Sequence, residues 1–325
     1  MNSKKILAMA ALAALALALV LALASCGKNA SSQNANPSST AGEAASPSDA
    51  DGGERSAKKI NAYTKGYNDL VGMFYGSTNG LDNLLEEYKS QKISSMKSAN
   101  ADTRLTVYLN TSMLRNSLES LKEGLAQGGS AQTAKIDGVV KTMVANGDEL
   151  FRQATSLEGY IKSKKYLEDD LAEAKALDAE FIRRWERLNT DFYALGNELD
   201  RIERANRSTV IAGLRGNGDI VGMNIQEGTY AANDLLALFE QASDFKDAGK
   251  LAKADTLAKQ IEKNSNETKA QLDAKPDSQS HSSDMSAYED LTAFIGSYRQ
   301  IRAGGDTNEF DEMVRHYNQL VNRRR

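Results

Sequence analysis

Apolar residues recur three and four positions apart over most of the chain, which is the repeat of a helix that packs along its length against neighbours. Two such stripes run from Ile136 to Ile161 and from Phe181 to Ile202. An earlier one consists of Ile60, Tyr63, Tyr67, Leu70, Phe74, Ser77, Leu81, Leu84 and Tyr88. No stretch alternates with a period of two. The pattern predicts an all-α protein, an elongated helical bundle with coiled-coil-like packing and no sheet.

Glycine pairs and polar stretches divide this pattern into separate helices. Ser286 with Glu289, and Asp306 with Glu309, have the spacing of a capping box at a helix start. We therefore predict a helical-bundle domain over residues 57–325, with helices near 58–97, 103–126, 131–163, 167–206, 227–270, 286–303 and 307–322.

The chain begins with a pattern of another kind. Lys4 and Lys5 precede an uninterrupted apolar run from Ile6 to Ala24, as in a targeting segment. The run has the length of a long cleaved signal peptide or of an uncleaved transmembrane anchor. Hydropathy alone leaves both alternatives open.

The next residues distinguish these alternatives. Leu23, Ala24, Ser25 and Cys26 resemble the lipobox of bacterial lipoproteins, a leucine and two small residues before a lipidated cysteine. The resemblance implies that residues 1–25 are a signal peptide cut after Ser25, and that acyl chains such as palmitate on Cys26 hold the protein on a membrane. Gly27 replaces the aspartate that retains lipoproteins at the inner membrane, so the resemblance favours the outer membrane, at its periplasmic face or the cell surface. The alternative is a chance cysteine behind an ordinary signal or anchor.

Residues 26–56 have no apolar periodicity and consist mainly of Ser, Ala, Asn, Gly, Asp and Pro. Such a composition predicts a lipidated, disordered tether. A flexible coil of this length has an r.m.s. span of about 30 Å. The predicted domain can therefore stand clear of the membrane that anchors it.

Composition and charge narrow the class of protein. Of the 325 residues, 41% are hydrophobic, which is enough to bury a core. The single cysteine excludes an internal disulfide. Loss of Lys4 and Lys5 with the signal peptide leaves 38 basic residues against 44 acidic ones, a net charge of −6. We therefore expect no nucleic-acid partner.

Two short motifs in the helical part resemble the YiiG family of bacterial lipoproteins. The first is the opening of the first helix, from Asn61-Ala62-Tyr63 to Tyr67-Asn68, and the second is Tyr166-x-x-Asp169-Asp170-x-Ala172-x-Ala174-Lys175. The family implies an all-helical lipoprotein domain of unknown function, and it supplies no catalytic residue. A histidine is common shortly after the second motif in that family, and this chain has Asp178 near that place.

Asp178 is a candidate binding residue, because the stripe of Phe181, stepped back by three, places it on the core face. A carboxylate there needs an Arg, a Tyr hydroxyl or an ion as its partner. The alternative is that the stripe drifts to Leu177 and leaves Asp178 on the surface. With Tyr63 and Tyr67 of the tyrosine-rich first stripe, Asp178 defines a candidate ligand pocket between helices.

The sequence carries no signature of an enzyme or a metal centre. His281 and His316 have no second ligand at metal-binding spacing. Glycine-flanked nucleophiles, phosphate-binding loops and cysteine–histidine pairs are absent. We therefore expect no cofactor and no catalysis, and we interpret the chain as a membrane-anchored envelope lipoprotein that binds another envelope component. The alternative is a solute- or ion-binding lipoprotein with a polar pocket.

Overall fold

The computed structural model describes residues 47–75, 80–130, 133–239, 242–275, 280–304 and 308–323. Their fold is all-α, as predicted, and they contain no strand. The predicted signal peptide, the lipobox and most of the tether lie outside the described residues. The α-helices are α1 Pro47–Tyr75, α2 Gly80–Ser90, α3 Ala101–Arg104, α4 Thr111–Ala126, α5 Ala134–Lys162, α6 Tyr166–Asp169, α7 Ala172–Gly216, α8 Ile220–Leu236, α9 Ala248–Ala274, α10 His281–Arg302 and α11 Asn308–Arg323.

The described chain divides into two compact units. The N-terminal unit is Ser46–Leu199, and the C-terminal unit contains Asp200–Arg325. The long helix α7 contributes residues 172–199 to the first unit and 200–216 to the second. The sequence predicted one bundle domain over 57–325, and the structure resolves this stretch into two helical units.

The core of the N-terminal unit is rich in aromatic side chains. Tyr67 stacks on Phe192 with ring centroids 4.6 Å apart. Helices α1 and α4 pack closely because glycines stand at their contact. A Cβ atom on Gly124 would overlap the ring of Tyr63, so only glycine lets the two helices approach this far.

The C-terminal unit is a bundle of α8, α9, α10 and α11 with a largely aliphatic core. Tyr298 donates to Asp255 over 2.6 Å, and Arg302 of α10 makes two 3.0 Å bonds to the same carboxylate. The interior also contains uncharged polar residues that are 0 to 4% exposed, namely Asn224, Asn264, Ser265 and Thr268. Each of these four has a buried polar atom without a hydrogen-bond partner among the described residues.

Helix α1 begins earlier than the sequence predicts. It starts at Pro47, whereas the tether was expected to extend to residue 56 and the helix to begin near Lys58. Proline is favoured at the first helical position, because its fixed φ suits the helix and it lacks an N–H group that would have no partner there. The last part of the predicted tether is therefore helical.

The predicted helix over 227–270 is wrong, because the chain turns between Leu236 and Ala248. Phe239 is fully buried in this turn and stacks on Phe245 with ring centroids 4.5 Å apart. Apolar residues in a buried connection imitate a helical stripe, which explains the error. The Asp247 carboxylate then caps α9 by accepting bonds from the backbone N–H groups of Gly249 and Lys250.

Other predicted boundaries also differ. The first predicted helix, 58–97, is divided into α1 and α2. Helix α2 ends at Ser90, and Lys92, which follows it, has the left-handed φ of 52°. The Gln91 side chain stabilises the loop that follows. It donates to the backbone C=O of Thr106 and accepts from the backbone N–H of the same residue. Ser286 lies inside α10, so the capping box predicted there is wrong, and Asp306 lies outside the described residues.

Candidate functional site

The residues predicted from the first stripe lie in the core of the N-terminal unit. The Tyr63 hydroxyl donates to the Asp137 carboxylate of α5 over 2.6 Å. Lys59 donates to both oxygens of the same carboxylate, at 2.9 and 2.8 Å, and its side chain is only 2% exposed. Burial, together with the bond to Asp137, raises the pKa of Tyr63. Tyr63 therefore belongs to a buried ion-pair cluster.

Tyr67 has a different environment. Its ring packs on Phe192, and its hydroxyl is buried without a hydrogen-bond partner among the described residues. Burial raises the pKa of Tyr67. The hydroxyl thus remains protonated and provides one unused donor inside the unit.

Asp178 is half-buried and lies beside the hydroxyl of Tyr88. This is the tyrosine partner that a core-facing carboxylate requires, although the contact lacks the geometry of a regular hydrogen bond. Burial raises the pKa of Asp178, while Tyr88 opposes that shift. Asp178 has no basic partner among the residues that the structure describes.

Asp178 and the two tyrosines do not share a pocket. Tyr67 contacts α7 at Phe192, well beyond Asp178 along the same helix. At a rise of about 1.5 Å per residue, position 192 is about 21 Å along the helix from position 178. Each of the three residues therefore has its own neighbours.

The second motif forms the turn into α7. Asp170 and Leu171 both have left-handed φ angles, 50° and 66°. Bulky residues rarely adopt this conformation. Asp169 stabilises the turn by accepting bonds from the backbone N–H groups of Leu171 and Glu173, and the Tyr160 hydroxyl donates to it over 2.5 Å. The bond from Tyr160 is the main reason why the pKa of Asp169 lies below its usual value. The acids of the motif thus build a helix start.

The histidines do not assemble a metal site in the described part of the chain. His316 Nδ1 lies 3.9 Å from the Asp290 carboxylate. No group of three or more His, Cys, Asp or Glu side chains is placed to hold a metal ion among the described residues.

A basic groove of about 540 Å³ lies between α5 and α7 of the N-terminal unit, and we name it the α5–α7 groove. Its lining contains four cationic side chains, one amide and two small residues. These are Lys141, Thr142, Ala145, Asn146, Arg183, Arg184 and Arg187.

Local sequence explains how the two helices form the groove. Asn146 of α5 donates its side-chain N–H to the backbone carbonyl of Arg184 over 2.8 Å, which fixes the helices against each other. Thr142 and Ala145, which line the groove from α5, have small side chains and leave space between the two helices. Arg183, Arg184 and Arg187 follow the spacing that places residues along one side of a helix.

Two carboxylates hold the arginines of the groove. The Glu180 carboxylate accepts hydrogen bonds from Nε and Nη2 of Arg183, at 2.7 and 2.5 Å. It also forms an ion pair with Nη2 of Arg184 at 2.8 Å. The bonds from Arg183 are the main reason why the pKa of Glu180 is lowered. Arg187 Nε donates to Asp191 over 2.9 Å. Each arginine of the groove thus has a carboxylate partner in the structure.

The groove nevertheless keeps a positive surplus. Four cations line it, while Glu180 and Asp191 supply only two opposing charges. Lys141 has no acidic partner among the described residues, and Arg184 Nε is buried without a hydrogen-bond partner there. Glu149, which lies near Arg184, is already neutralised by Arg152 at 2.6 Å.

Sequence reasoning missed this groove. The signal in the sequence is Arg183-Arg184-x-x-Arg187, a cluster of cations within little more than one helical turn. Lys141 lies far earlier in the chain, and only the packing of α5 on α7 brings it to the same place.

Comparisons with known proteins identify a family and no activity. The family described as Protein of unknown function (DUF3829) matches residues 54–323. Curated proteins and solved structures give no match. Within the described residues, no helix has the length and hydropathy of a membrane span.

Proposed function

We propose a binding function for this chain, which belongs to the DUF3829 family of proteins of unknown function. In this proposal it is a noncatalytic lipoprotein of the bacterial envelope, of the YiiG type, and its α5–α7 groove binds an anionic envelope component. Lipid on Cys26 anchors it, with the outer membrane as the favoured location.

The observation that carries the proposal is the charge of the groove. The chain without its signal peptide has a net charge of −6, so its overall field repels anions. Against that background, four cationic side chains line one groove and only two carboxylates oppose them. A local field opposite to the net charge concentrates anionic ligands at that place.

The groove also has the properties of a binding surface rather than a reaction centre. Its lining offers cationic and amide donors, and Lys141, Arg183 and Arg187 are exposed to solvent. No carboxylate, histidine or nucleophilic thiol lines it. Donors without an acid–base pair favour recognition of an anion over chemistry on it.

Photocrosslinking in intact cells tests the proposal. A photoreactive residue at Ala145, inside the groove, should capture an envelope component, and Lys141→Glu in the same chain should abolish the capture. Thr155 lies on the exposed surface of α5 outside the lining and provides the control position. Equal capture from both positions, or capture insensitive to Lys141→Glu, would contradict the proposal.

Anchoring is tested separately. The full-length chain should incorporate a palmitate analogue, and Cys26→Ala should lose the label. Labelling that persists in this variant would refute the anchor on Cys26, and it would not bear on the binding proposed for the groove.

A second candidate function is binding of a small cation or solute at Asp178. It is favoured by a half-buried carboxylate that has no basic partner among the described residues. Beside it, the Tyr88 ring centroid lies 4.9 Å from that of Phe181 and 6.1 Å from that of Trp185. A rise in the unfolding midpoint with an amine or a metal ion, lost in Asp178→Asn, would support this function, and absence of any such rise would remove it.

A further inference from the structure

The donors that remain unused in the α5–α7 groove define what it can bind. Arg183 uses Nε and Nη2 on Glu180, Arg184 uses Nη2 on the same acid, and Arg187 uses Nε on Asp191. The exposed Lys141 Nζ makes no bond to any described residue, whereas Arg184 Nε is also unpaired there but is buried away from the surface. The groove therefore offers guanidinium and ammonium N–H donors and needs a ligand that is rich in acceptors.

Charge sets the second requirement. The surplus of four cations over two carboxylates is two positive charges. A phosphate monoester carries about −1.5 to −2 at pH 7 and presents three strong acceptor oxygens. A carboxylate or a phosphate diester carries one negative charge and leaves half of the surplus unbalanced.

Geometry sets the third requirement. Guanidinium groups match the oxygens of phosphate through paired N–H donors, and lysine adds a compact point charge. Here three guanidiniums come from one helix and the lysine from the facing helix, so a ligand between them meets cations on both sides. The groove is shallow and open to solvent, so a phosphoryl group can approach it while the molecule that bears the group stays outside.

We propose that the α5–α7 groove recognises a phosphate monoester dianion on its ligand, with Lys141 as the residue that sets the preference for two charges over one. This inference rests on the proposed function, since it names the chemistry of the anion bound at the same site. A phosphorylated sugar and a phosphatidate-type headgroup share this chemistry.

Calorimetric titration of the full chain, purified in detergent, compares four probes. Glucose 6-phosphate and glycerol 3-phosphate carry the dianion on a sugar and on a lipid headgroup. Glucuronate carries a single charge on a sugar ring, and glycerophosphoglycerol is a phosphate diester. We expect each monoester to bind at least tenfold more tightly than the singly charged probe of its own type. The stronger of the two monoesters then identifies the source.

Removal of one cation tests the charge argument within the same titration. Lys141→Gln lowers the surplus from two charges to one, so the preference for the monoesters should fall to threefold or less. Lys162→Gln is the matched control, because Lys162 is also an exposed lysine of α5 without an acidic partner among the described residues. The control should keep the full preference.

The outcomes separate the two levels of the proposal. Equal affinity for all four probes, weakened by Lys141→Gln, would overturn the preference for a dianion and leave the anion-binding groove intact. A preference that survives in Lys141→Gln would refute the role of Lys141. If none of the probes binds and no groove-dependent crosslink forms in cells, the proposed function fails as well.

Discussion

Two polar clusters, one inside each unit of this protein, are satisfied to different degrees. The N-terminal unit encloses a charged pair, Lys59 with Asp137, and satisfies it with Tyr63 and Thr133. The interior of the C-terminal unit holds Asn264 and Thr268, which are uncharged and have unpaired polar atoms. A buried charge requires full compensation, whereas a buried amide or hydroxyl is tolerated with less. Loss of one member of the first cluster should therefore be costly, whereas an apolar replacement of an unpaired group in the second should stabilise the fold.

Breaking the buried pair should have the largest effect. Asp137→Ala leaves the Lys59 ammonium buried without a countercharge, so we expect a loss of about 3–5 kcal/mol in unfolding free energy. Urea unfolding of the N-terminal unit measures it. The double variant Lys59→Met, Asp137→Leu should recover most of the loss, because an apolar pair removes both charges. A single variant within about 1 kcal/mol of the parent would show that this pair is not critical.

The close contact of α1 with α4 gives the next effect. Gly124→Ala places a methyl group against the Tyr63 ring, and overpacking of this kind costs about 1–3 kcal/mol. Gly159→Ala in α5 is the control, because a Cβ there meets no atom within 4 Å. Alanine also favours the helix over glycine by up to about 1 kcal/mol. Unfolding curves that move in the same direction for both variants would contradict the packing described here.

The C-terminal unit should respond to the reverse change. Thr268→Val replaces a fully buried, unpaired hydroxyl by a methyl group of the same shape. We expect a gain of about 1 kcal/mol in unfolding free energy. Thr229→Val is its matched partner, because the Thr229 hydroxyl donates to the Ile225 carbonyl over 2.7 Å and is already satisfied. Equal effects of the two substitutions would show that the unpaired hydroxyl has no cost.

Asp178 should give the smallest effect, and its sign depends on pH. Burial raises the pKa of Asp178 in the folded chain, so the folded state holds this proton more tightly than the unfolded state. Stability is therefore lost as the pH rises from the unfolded pKa, about 3.9, through the folded pKa. Asp178→Asn should raise the unfolding midpoint at about pH 7 and lose this advantage below about pH 4. A pH-independent difference would rule out titration of Asp178 as its cause.

The helical stripes were predictable because they depend on local periodicity. Tyr63, Tyr67 and Phe181 were expected on the packed faces and are buried there. The turn after Leu236 was not predictable from periodicity, because its Phe239 and Phe245 continue the apolar pattern while the backbone leaves the helix.

The candidate sites show the same limit. Lys59 and Asp137 are far apart in the sequence, and periodicity does not show that such distant residues meet. Prediction of the α5–α7 groove likewise requires knowledge of which side of α5 faces α7. For Asp178 the stripe left open both a surface position and a core position with an Arg, a Tyr hydroxyl or an ion as partner, because a stripe does not identify the residue that faces it.

The central claim is that the α5–α7 groove binds an anion, and a charge reversal tests it most directly. The affinity of the full chain for glucose 6-phosphate is measured for Lys141→Glu and for Lys162→Glu, which change the net charge equally on the same helix. We predict that Lys141→Glu weakens binding at least tenfold and that Lys162→Glu changes it less than twofold. Equal losses in the two variants would mean that only the net charge matters, and would contradict a binding site in the groove.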